Sequence, residues 1–380
     1  MKVNKRLKSI DIFRGLAMFW MVLGHTIKWG LTTQDAWIYE ILERIFSPIG
    51  AAGFLFVSGV SISYSFKKKT DSIYGLNTQK YEILKKEYFY RAAIILIISL
   101  IYNSFALAWI FGIKYIWSWF ILQTVAVSLF ITWPLLKTSK VFRIGFCLML
   151  WLLNQILFPF LSIYEGQGNL YGFLYHILYS FNDQSPILIF STFLIIGTII
   201  GEKLFELNSI EQPDIRIAEY KKNFGYFFIT GILLILLAIY FSFSDFLLRG
   251  TASWNLYAIG IEIVVFSIFM LFEEFELISF KKNHRFLFYY SYYSLTIFLG
   301  HNVLYLIFYQ QLTIITVWIA TPITFILMGL LLKEIYKRWG WKASLKAIIG
   351  KISTYLAKNV NFREKFLGYM EIGLKKVYPR

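Results

Sequence analysis

Residues 12–31 read I-F-R-G-L-A-M-F-W-M-V-L-G-H-T-I-K-W-G-L, a stretch long and apolar enough to cross the hydrocarbon core of a bilayer as an α-helix. Nine further stretches of this kind follow along the chain. They are residues 45–65, 92–112, 115–136, 141–162, 186–201, 224–243, 254–272, 286–308 and 314–332. This pattern predicts an all-α polytopic membrane protein with about ten transmembrane helices.

The composition indicates that lipid is the main solvent of the chain. Apolar residues make up 58% of the 380 residues and aromatic residues 20%, and the mean hydropathy is +0.59. A net charge of +16 would suggest nucleic-acid binding in a soluble protein, but here the basic residues lie in the short segments between apolar stretches. We therefore expect membrane lipids and no nucleic acid as partners, and a multi-pass location in the cell membrane.

The basic residues between the stretches alternate between two sides. One side collects those before the first stretch, those between the second and third, and those of the tail after residue 332. The other side holds only Arg44, Lys114 and Arg249. Because Lys and Arg accumulate in cytoplasmic loops, this alternation predicts an even number of helices with both termini in the cytoplasm.

The chain divides into two predicted regions. Residues 1–332 form a membrane domain, and residues 333–380 form a basic amphipathic cytoplasmic tail. In the tail, Trp339 and Trp341 are mixed with regularly spaced Lys and Arg, a pattern that suits a helix lying on an anionic leaflet. A homo-oligomer is compatible with this organisation.

The first predicted helix carries a stripe of ionisable residues, which are costly inside a membrane and usually face an internal cavity. At about 100° per residue, Asp11, Arg14, His25 and Lys28 fall within a sector of roughly 100° on one helix face. At a rise of about 1.5 Å per residue, Arg14 and His25 lie about 16 Å apart along it. The stripe permits an anionic cytoplasmic ligand at one end and a deeper site at the other.

A structural interpretation stays open for part of this stripe. Asp11 can act as a capping acid, and Arg14 and Lys28 can extend to the membrane surface. His25 lies deeper, where a histidine without a function still needs a polar partner, and we therefore favour a functional role for it.

Further polar residues lie inside later predicted helices. They are Gln123, Asn154, Gln155, Glu262, His301 and Asn302. Together with His25 they predict one aqueous or ligand-filled cavity. Ser58 in the second helix is a weaker candidate, because close packing of small residues explains it equally well. The histidine spacing fits no metal motif such as His-x-x-x-His, so we expect no bound catalytic metal.

The segment S-I-D-I-F-R-G-L-A-M-F-W-M-V-L-G-H (Ser9 to His25) resembles the first helix of the transmembrane acyltransferase superfamily. That superfamily includes acyltransferase family 3 and the relatives of heparan-α-glucosaminide N-acetyltransferase. Gly53 to Ile62 is similar to its aromatic-rich second helix, and Tyr290 to His301 to its late Tyr-Ser…His stretch, with Phe298 where tyrosine is commoner. The basic loop at residues 67–69 has three lysines where acyltransferase family 3 has an arginine pair.

This resemblance implies transfer of an acyl group, most often acetyl, from cytoplasmic acyl-CoA to a hydroxyl or amine of an extracytoplasmic glycan or lipid-linked acceptor. It places His25 as catalytic base or as acyl carrier, two alternatives that stay open, with His301 as a second catalytic candidate. The expected donor-binding residues are Asp11, Arg14, Lys67, Lys68 and Lys69. The expected acceptor-binding residues are Lys28, Ser58, Glu262 and Asn302.

A multi-pass transporter or flippase is the alternative function, because a proton-coupled carrier also needs a polar pathway through the membrane. Neither an inverted repeat nor a matched pair of broken helices is visible in the sequence. We therefore rank transport below acyl transfer.

Overall fold

The computed structural model describes residues 7–71, 78–109, 112–180, 185–242, 246–275 and 285–358. Within these ranges the chain is helical, and its only β-type pairing is a bridge between Leu31 and Leu312. The α-helices are α1 (Lys8–Gly30), α2 (Trp37–Phe46), α3 (Ala51–Asp71), α4 (Thr78–Asn103), α5 (Ile121–Leu135), α6 (Lys140–Ser162), α7 (Leu170–Leu178), α8 (Ile187–Asn208), α9 (Pro213–Phe241), α10 (Ala252–Glu274), α11 (Arg285–Tyr292), α12 (Ser294–Gly300), α13 (Val303–Phe308), α14 (Thr316–Trp339) and α15 (Leu345–Lys358). The predicted all-α membrane architecture is confirmed.

Eight helical segments of the described residues are long and apolar enough to cross a membrane. They correspond to eight of the ten predicted stretches. The two others, residues 115–136 and 286–308, are also helical but differ from the expected single long helix.

The stretch 115–136 contains a helix of only 15 residues, α5, so its predicted start was wrong. Ahead of α5, residues 113–116 form a short 3₁₀ turn after Gly112, whose φ of 111° favours glycine. The Asn103 side chain donates hydrogen bonds to the carbonyls of Ile116 and Ser118, at 3.0 and 3.1 Å. These bonds satisfy the irregular backbone, which a count of apolar residues does not reveal.

The stretch 286–308 is a discontinuous helix in three pieces, α11, α12 and α13, rather than the single span that was predicted. The first break is at Tyr293, whose hydroxyl donates to the Gly340 carbonyl at 2.7 Å. The second break is at His301 and Asn302, directly after Gly300. Glycine and polar residues weaken a helix, and broken helices in membranes occur where the freed backbone is buried in protein or lines a cavity. The second break therefore coincides with two predicted site residues.

Helix α1 is fixed at its start by an acid from another helix. The backbone amides of Lys8 and Ser9 donate to the two carboxylate oxygens of Glu273 in α10, at 3.0 and 2.7 Å. The free amides at the start of a helix bind an anion well, because they coincide with the positive end of the helix dipole. This contact fixes the start of α1 against α10, and hence the position of Asp11 and Arg14 relative to that helix.

The protein core lies where α1, α3 and α10 meet. The rings of Phe13, Phe56 and Phe266, one from each helix, lie within 6.0 Å of one another, centroid to centroid. Helix α3 also packs closely against α8, through Gly59 on one side and Gly197 and Gly201 on the other. Small residues allow such close approach of helices in membranes.

The predicted boundary at residue 332 falls inside α14, which continues to Trp339. Helix α15 follows and packs against α4 and α12, with Leu345 and Ile349 among Ile94, Ile98 and Leu295. Residues 359–380 of the predicted tail lie outside the described ranges. The two-region division and the cytoplasmic location of both termini stay predictions.

Candidate active site

The polar stripe of the first helix is carried by one unbroken helix. Helix α1 runs from Lys8 to Gly30, so Arg14 and His25 are separated by about 16 Å of regular helix. The residues near each end contact different neighbouring helices. The two ends are therefore described separately, as the His25 end and the Arg14 end.

At the His25 end, three rings from two helices lie together. The imidazole of His25 stacks on Trp29, with centroids 4.5 Å apart, and lies 4.7 Å from the imidazole of His301. Trp29 also stacks on His301, at 5.5 Å. The helix break at residues 301–302 brings the second histidine to the first, so the structure unites the two predicted catalytic residues.

The polar atoms of these two histidines differ in their surroundings. His301 is 3% exposed, and its Nδ1 hydrogen bonds to the Phe298 carbonyl, which can only accept. A neutral His301 therefore carries its proton on Nδ1 and has its lone pair on Nε2. The Nδ1 atom of His25 is buried and makes no hydrogen bond of regular geometry among the described residues, although the ring interacts with the backbone of Met21 one turn earlier. A ring nitrogen without a side-chain partner suits a group that receives a proton or an acyl group.

A hydrogen bond between two helices extends this cluster. The Asn302 side chain donates to the hydroxyl of Tyr102 in α4, at 2.7 Å. The ring of Tyr102 packs against Phe120 and Phe298, at 6.5 and 5.9 Å. Asn302 thus connects the broken helix to α4 beside His301.

At the Arg14 end, two hydroxyl groups hold the predicted donor-binding residues. Arg14 donates to the Ser61 hydroxyl of α3 at 2.5 Å. Asp11, which is 8% exposed, accepts from the Ser291 hydroxyl of α11 at 3.1 Å. Both charged groups are thereby oriented by neighbouring helices. The donor-binding role of Asp11 and Arg14 stays a prediction.

The three lysines after the second helix differ in their contacts. Lys67 pairs with Glu202 at 2.6 Å, and Glu202 also pairs at 2.7 Å with the buried Arg143. Lys69 pairs with Glu87 at 3.3 Å, whereas Lys68 is exposed. Two of the predicted donor-binding lysines therefore already take part in ion pairs between helices.

The predicted acceptor-binding residues are dispersed. The Ser58 hydroxyl donates to the Phe54 carbonyl of its own helix at 2.7 Å, which favours the structural interpretation of Ser58. The Lys28 ammonium lies 5.6 Å from the centre of the Tyr39 ring. Glu262 is fully buried, and its oxygens have no hydrogen-bond partner among the described residues. Asn302 is adjacent to the His25 end.

The single cavity predicted from the later polar residues is not formed as expected. Gln155 is exposed on α6, and that helix packs against α7 and α8 rather than α1. Gln123 instead accepts a hydrogen bond from Asn103 at 3.0 Å, close to the loop ahead of α5. Hydropathy marks a polar residue in a span but does not determine which face of the bundle it occupies.

Four residues that contact the predicted site were not among the sequence candidates. They are Trp29, Ser61, Tyr102 and Ser291. A signal existed for Trp29, because residues four apart on a helix are neighbours and Trp29 follows His25 by four. The other three come from different helices, so no local pattern links them to α1. No cluster of three or more His, Cys, Asp or Glu suited to a metal occurs among the described residues.

A known protein family matches most of the chain. The family model of heparan-alpha-glucosaminide N-acetyltransferase, catalytic, matches residues 6–244. No curated protein and no solved structure matches the chain. The matched range includes Arg14 and His25 but ends before Ser291 and His301, and the resemblance stated from Ser9 to His25 is confirmed.

Proposed function

Because the chain belongs to the family of heparan-alpha-glucosaminide N-acetyltransferase catalytic domains, we propose that it transfers an acyl group from acyl-CoA. The family makes it an enzyme of the acetyltransferase type, and acetyl-CoA is therefore the first donor to test. The acceptor we propose is a hydroxyl or amine of an extracytoplasmic glycan or lipid-linked sugar. Neither the donor nor the acceptor requires a metal.

One observation supports this function above the others: a single helix connects Arg14 to His25, whose ring lies against that of the buried His301. Acyl-CoA is a long molecule with phosphates at one end and a thioester at the other. A donor that lies along α1, with its phosphates near Arg14, would extend its thioester towards His25, about 16 Å away along the helix. The helix thereby carries both a residue that would bind the phosphates and a residue that would act at the thioester.

In the chemical step that we propose, His25 is the general base. The acceptor oxygen or nitrogen forms a bond to the thioester carbonyl carbon, its proton moves to His25, and the C–S bond breaks to release coenzyme A. The alternative is that His25 takes the acyl group first and passes it to the acceptor. His301, whose Nε2 has the lone pair, would orient His25 or the acceptor, and Asn302 would help to position the acceptor.

Donor binding would rely on charge. Arg14 would donate to phosphate oxygens, and the exposed Lys68 would add positive charge near the same surface. Lys67 and Lys69 would have to exchange their acidic partners for phosphate to join them. Lys28, Ser58 and Glu262 stay weaker candidates for acceptor binding.

The proposed activity is tested with acetyl-CoA that carries a radiolabel in the acetyl group. We expect purified protein in liposomes to move the label onto a glycan or lipid-linked sugar of a membrane extract, and to release unlabelled coenzyme A. Label that accumulates inside the liposomes with no labelled acceptor would contradict acyl transfer and support a transporter.

The role of Arg14 is tested by coenzyme A binding in detergent. An Arg14→Ala variant should bind about ten- to a hundredfold more weakly, since a hydrogen bond to a charged group contributes about 1.5–3 kcal/mol. The matched control is Arg44→Ala, which removes an exposed arginine predicted to lie on the opposite side. Equal affinities of the two variants would remove Arg14 from the donor site.

A further inference from the structure

A groove of about 550 Å³ lies between α4 and α15, and one of its lining residues, Glu87, pairs with the donor-binding candidate Lys69. Helix α4 contributes Glu87 and Arg91 to its lining, and α15 contributes Gly350, Lys351, Tyr355 and Lys358. None of these residues is itself a proposed catalytic, donor-binding or acceptor-binding residue, although Glu87 is the ion-pair partner of Lys69. The inference drawn here does not rest on acyl transfer.

The lining of the groove carries an excess of positive charge. It contains three cations, Arg91, Lys351 and Lys358, and a single acid, Glu87. Glu87 already pairs with Lys69 at 3.3 Å and with Arg91 at 3.5 Å. Since this acid is shared between two cations, the groove as a whole attracts an anion.

The depth of the groove in the membrane follows from the sequence of α4. Up to Arg91 the helix is rich in Lys and Glu, and from Ala92 it continues as A-A-I-I-L-I-I-S-L-I. Arg91 therefore lies at the boundary between the polar and apolar parts of the helix, which is the depth of the lipid headgroups.

Aromatic residues support this depth. Tyr355 lines the groove and is 62% exposed, and Trp341 is 43% exposed beneath the Lys351 ammonium, which lies 2.9 Å from its ring centroid. Exposed Tyr and Trp are enriched at the interface between membrane and water. A ligand of the groove would thus meet both lipid and water.

A glycine keeps the floor of the groove open. A Cβ atom at Gly350 would lie 3.3 Å from a terminal nitrogen of Arg91. A larger side chain at this position would occupy the space beside the guanidinium without changing any charge. This gives a way to block the groove sterically.

We propose that this groove binds the phosphate headgroup of an anionic phospholipid. Arg91, Lys351 and Lys358 donate to the phosphate oxygens, and the acyl chains extend along the apolar part of α4. Basic residues close to a membrane surface attract anionic lipids, and a guanidinium matches the geometry of a phosphate group.

The test measures phosphatidylglycerol binding by native mass spectrometry of the full chain in detergent, in competition with zwitterionic phosphatidylethanolamine. We expect the triple variant Arg91→Gln, Lys351→Gln, Lys358→Gln to bind phosphatidylglycerol at least about tenfold more weakly than the native chain. Gly350→Leu should also weaken binding, because it fills the groove. The matched control is Lys86→Gln, Lys221→Gln, Lys222→Gln, which removes three exposed lysines outside the groove lining and should keep native affinity.

A second arm identifies the source of the phosphate. Soluble glycerol 3-phosphate should neither bind with comparable affinity nor displace the lipid. Equal lipid affinity of the groove variants and the control triple would overturn the proposal. Displacement of the lipid by glycerol 3-phosphate at similar concentration would overturn it as well, since the groove would then be a site for soluble phosphates.

Discussion

A His25→Asn variant is expected to lose acyl transfer by about 10²–10⁴-fold while staying folded, because removal of a general base costs this much. Asparagine keeps a hydrogen-bond donor and acceptor near the ring position but cannot take up a proton near neutral pH. The substitution therefore separates the chemistry of His25 from its structural contacts. The measurement is the rate of label transfer from acetyl-CoA at saturating donor.

The control for this variant is His176→Asn. His176 lies on α7, which packs against α6 and carries none of the proposed site residues. We expect its transfer rate to stay within about twofold of the native rate, as for most changes outside a site. Folding of both variants is checked by size-exclusion chromatography, because loss of the His25–Trp29 stack alone removes about 1 kcal/mol.

A native rate for folded His25→Asn would contradict its role both as base and as acyl carrier. His301 would then be the next residue to substitute, because its ring lies 4.7 Å from that of His25. If His301→Asn lost acyl transfer while His25→Asn kept it, the chemical step would belong to the broken helix instead of α1.

The approximate position of eight of the ten predicted helices was predictable because hydropathy reports directly on what contacts lipid. The helix break at His301 and Asn302 was not predictable in this way. A helix breaks where other groups satisfy its backbone, and here the Phe298 carbonyl is satisfied by the His301 ring of the same segment. The hydropathy of a sequence does not reveal such hydrogen bonds. The apolar stretch 286–308 was therefore predicted to be one span.

The candidate site was predictable in part for a similar reason. The spacing of Arg14 and His25 fixes their positions on one helix face, and the family pattern indicated both helices whose histidines meet. Ser61 and Ser291, however, reach Arg14 and Asp11 from positions 47 and 280 residues away in the chain. Contacts of that separation depend on helix packing, which no local pattern encodes.

The ion pairs of the basic loop also depend on helix packing and could not be predicted from a local pattern. The lysine tract at residues 67–69 predicted a phosphate-binding surface. In the structure, however, Lys67 is ion-paired with Glu202 and Lys69 with Glu87. These acids come from α8 and α4, and in the sequence they look like ordinary surface residues. The positive charge available to a donor is therefore smaller than the lysine tract alone indicates.

The second large effect is expected at the contact between α3 and α8. A Cβ atom at Gly197 would lie 2.1 Å from the Phe56 carbonyl oxygen, and one at Gly201 would lie 2.3 Å from that of Val60. Both neighbours are backbone atoms, so the helices must separate to accept any side chain. The double variant Gly197→Ala, Gly201→Ala should lose about 3 kcal/mol or more of stability.

The matched control is Gly145→Ala, Gly225→Ala, which adds two methyl groups at helix positions with no atom within 4 Å. Alanine favours a helix over glycine by up to about 1 kcal/mol, so this control should melt at or slightly above the native temperature. Thermal unfolding in detergent, followed by loss of the monodisperse peak, measures both variants. Equal melting temperatures would show that α3 and α8 can separate freely.

If α3 and α8 do depend on this contact, a folded remnant of the double variant should also bind coenzyme A more weakly, because Ser61 on α3 holds Arg14.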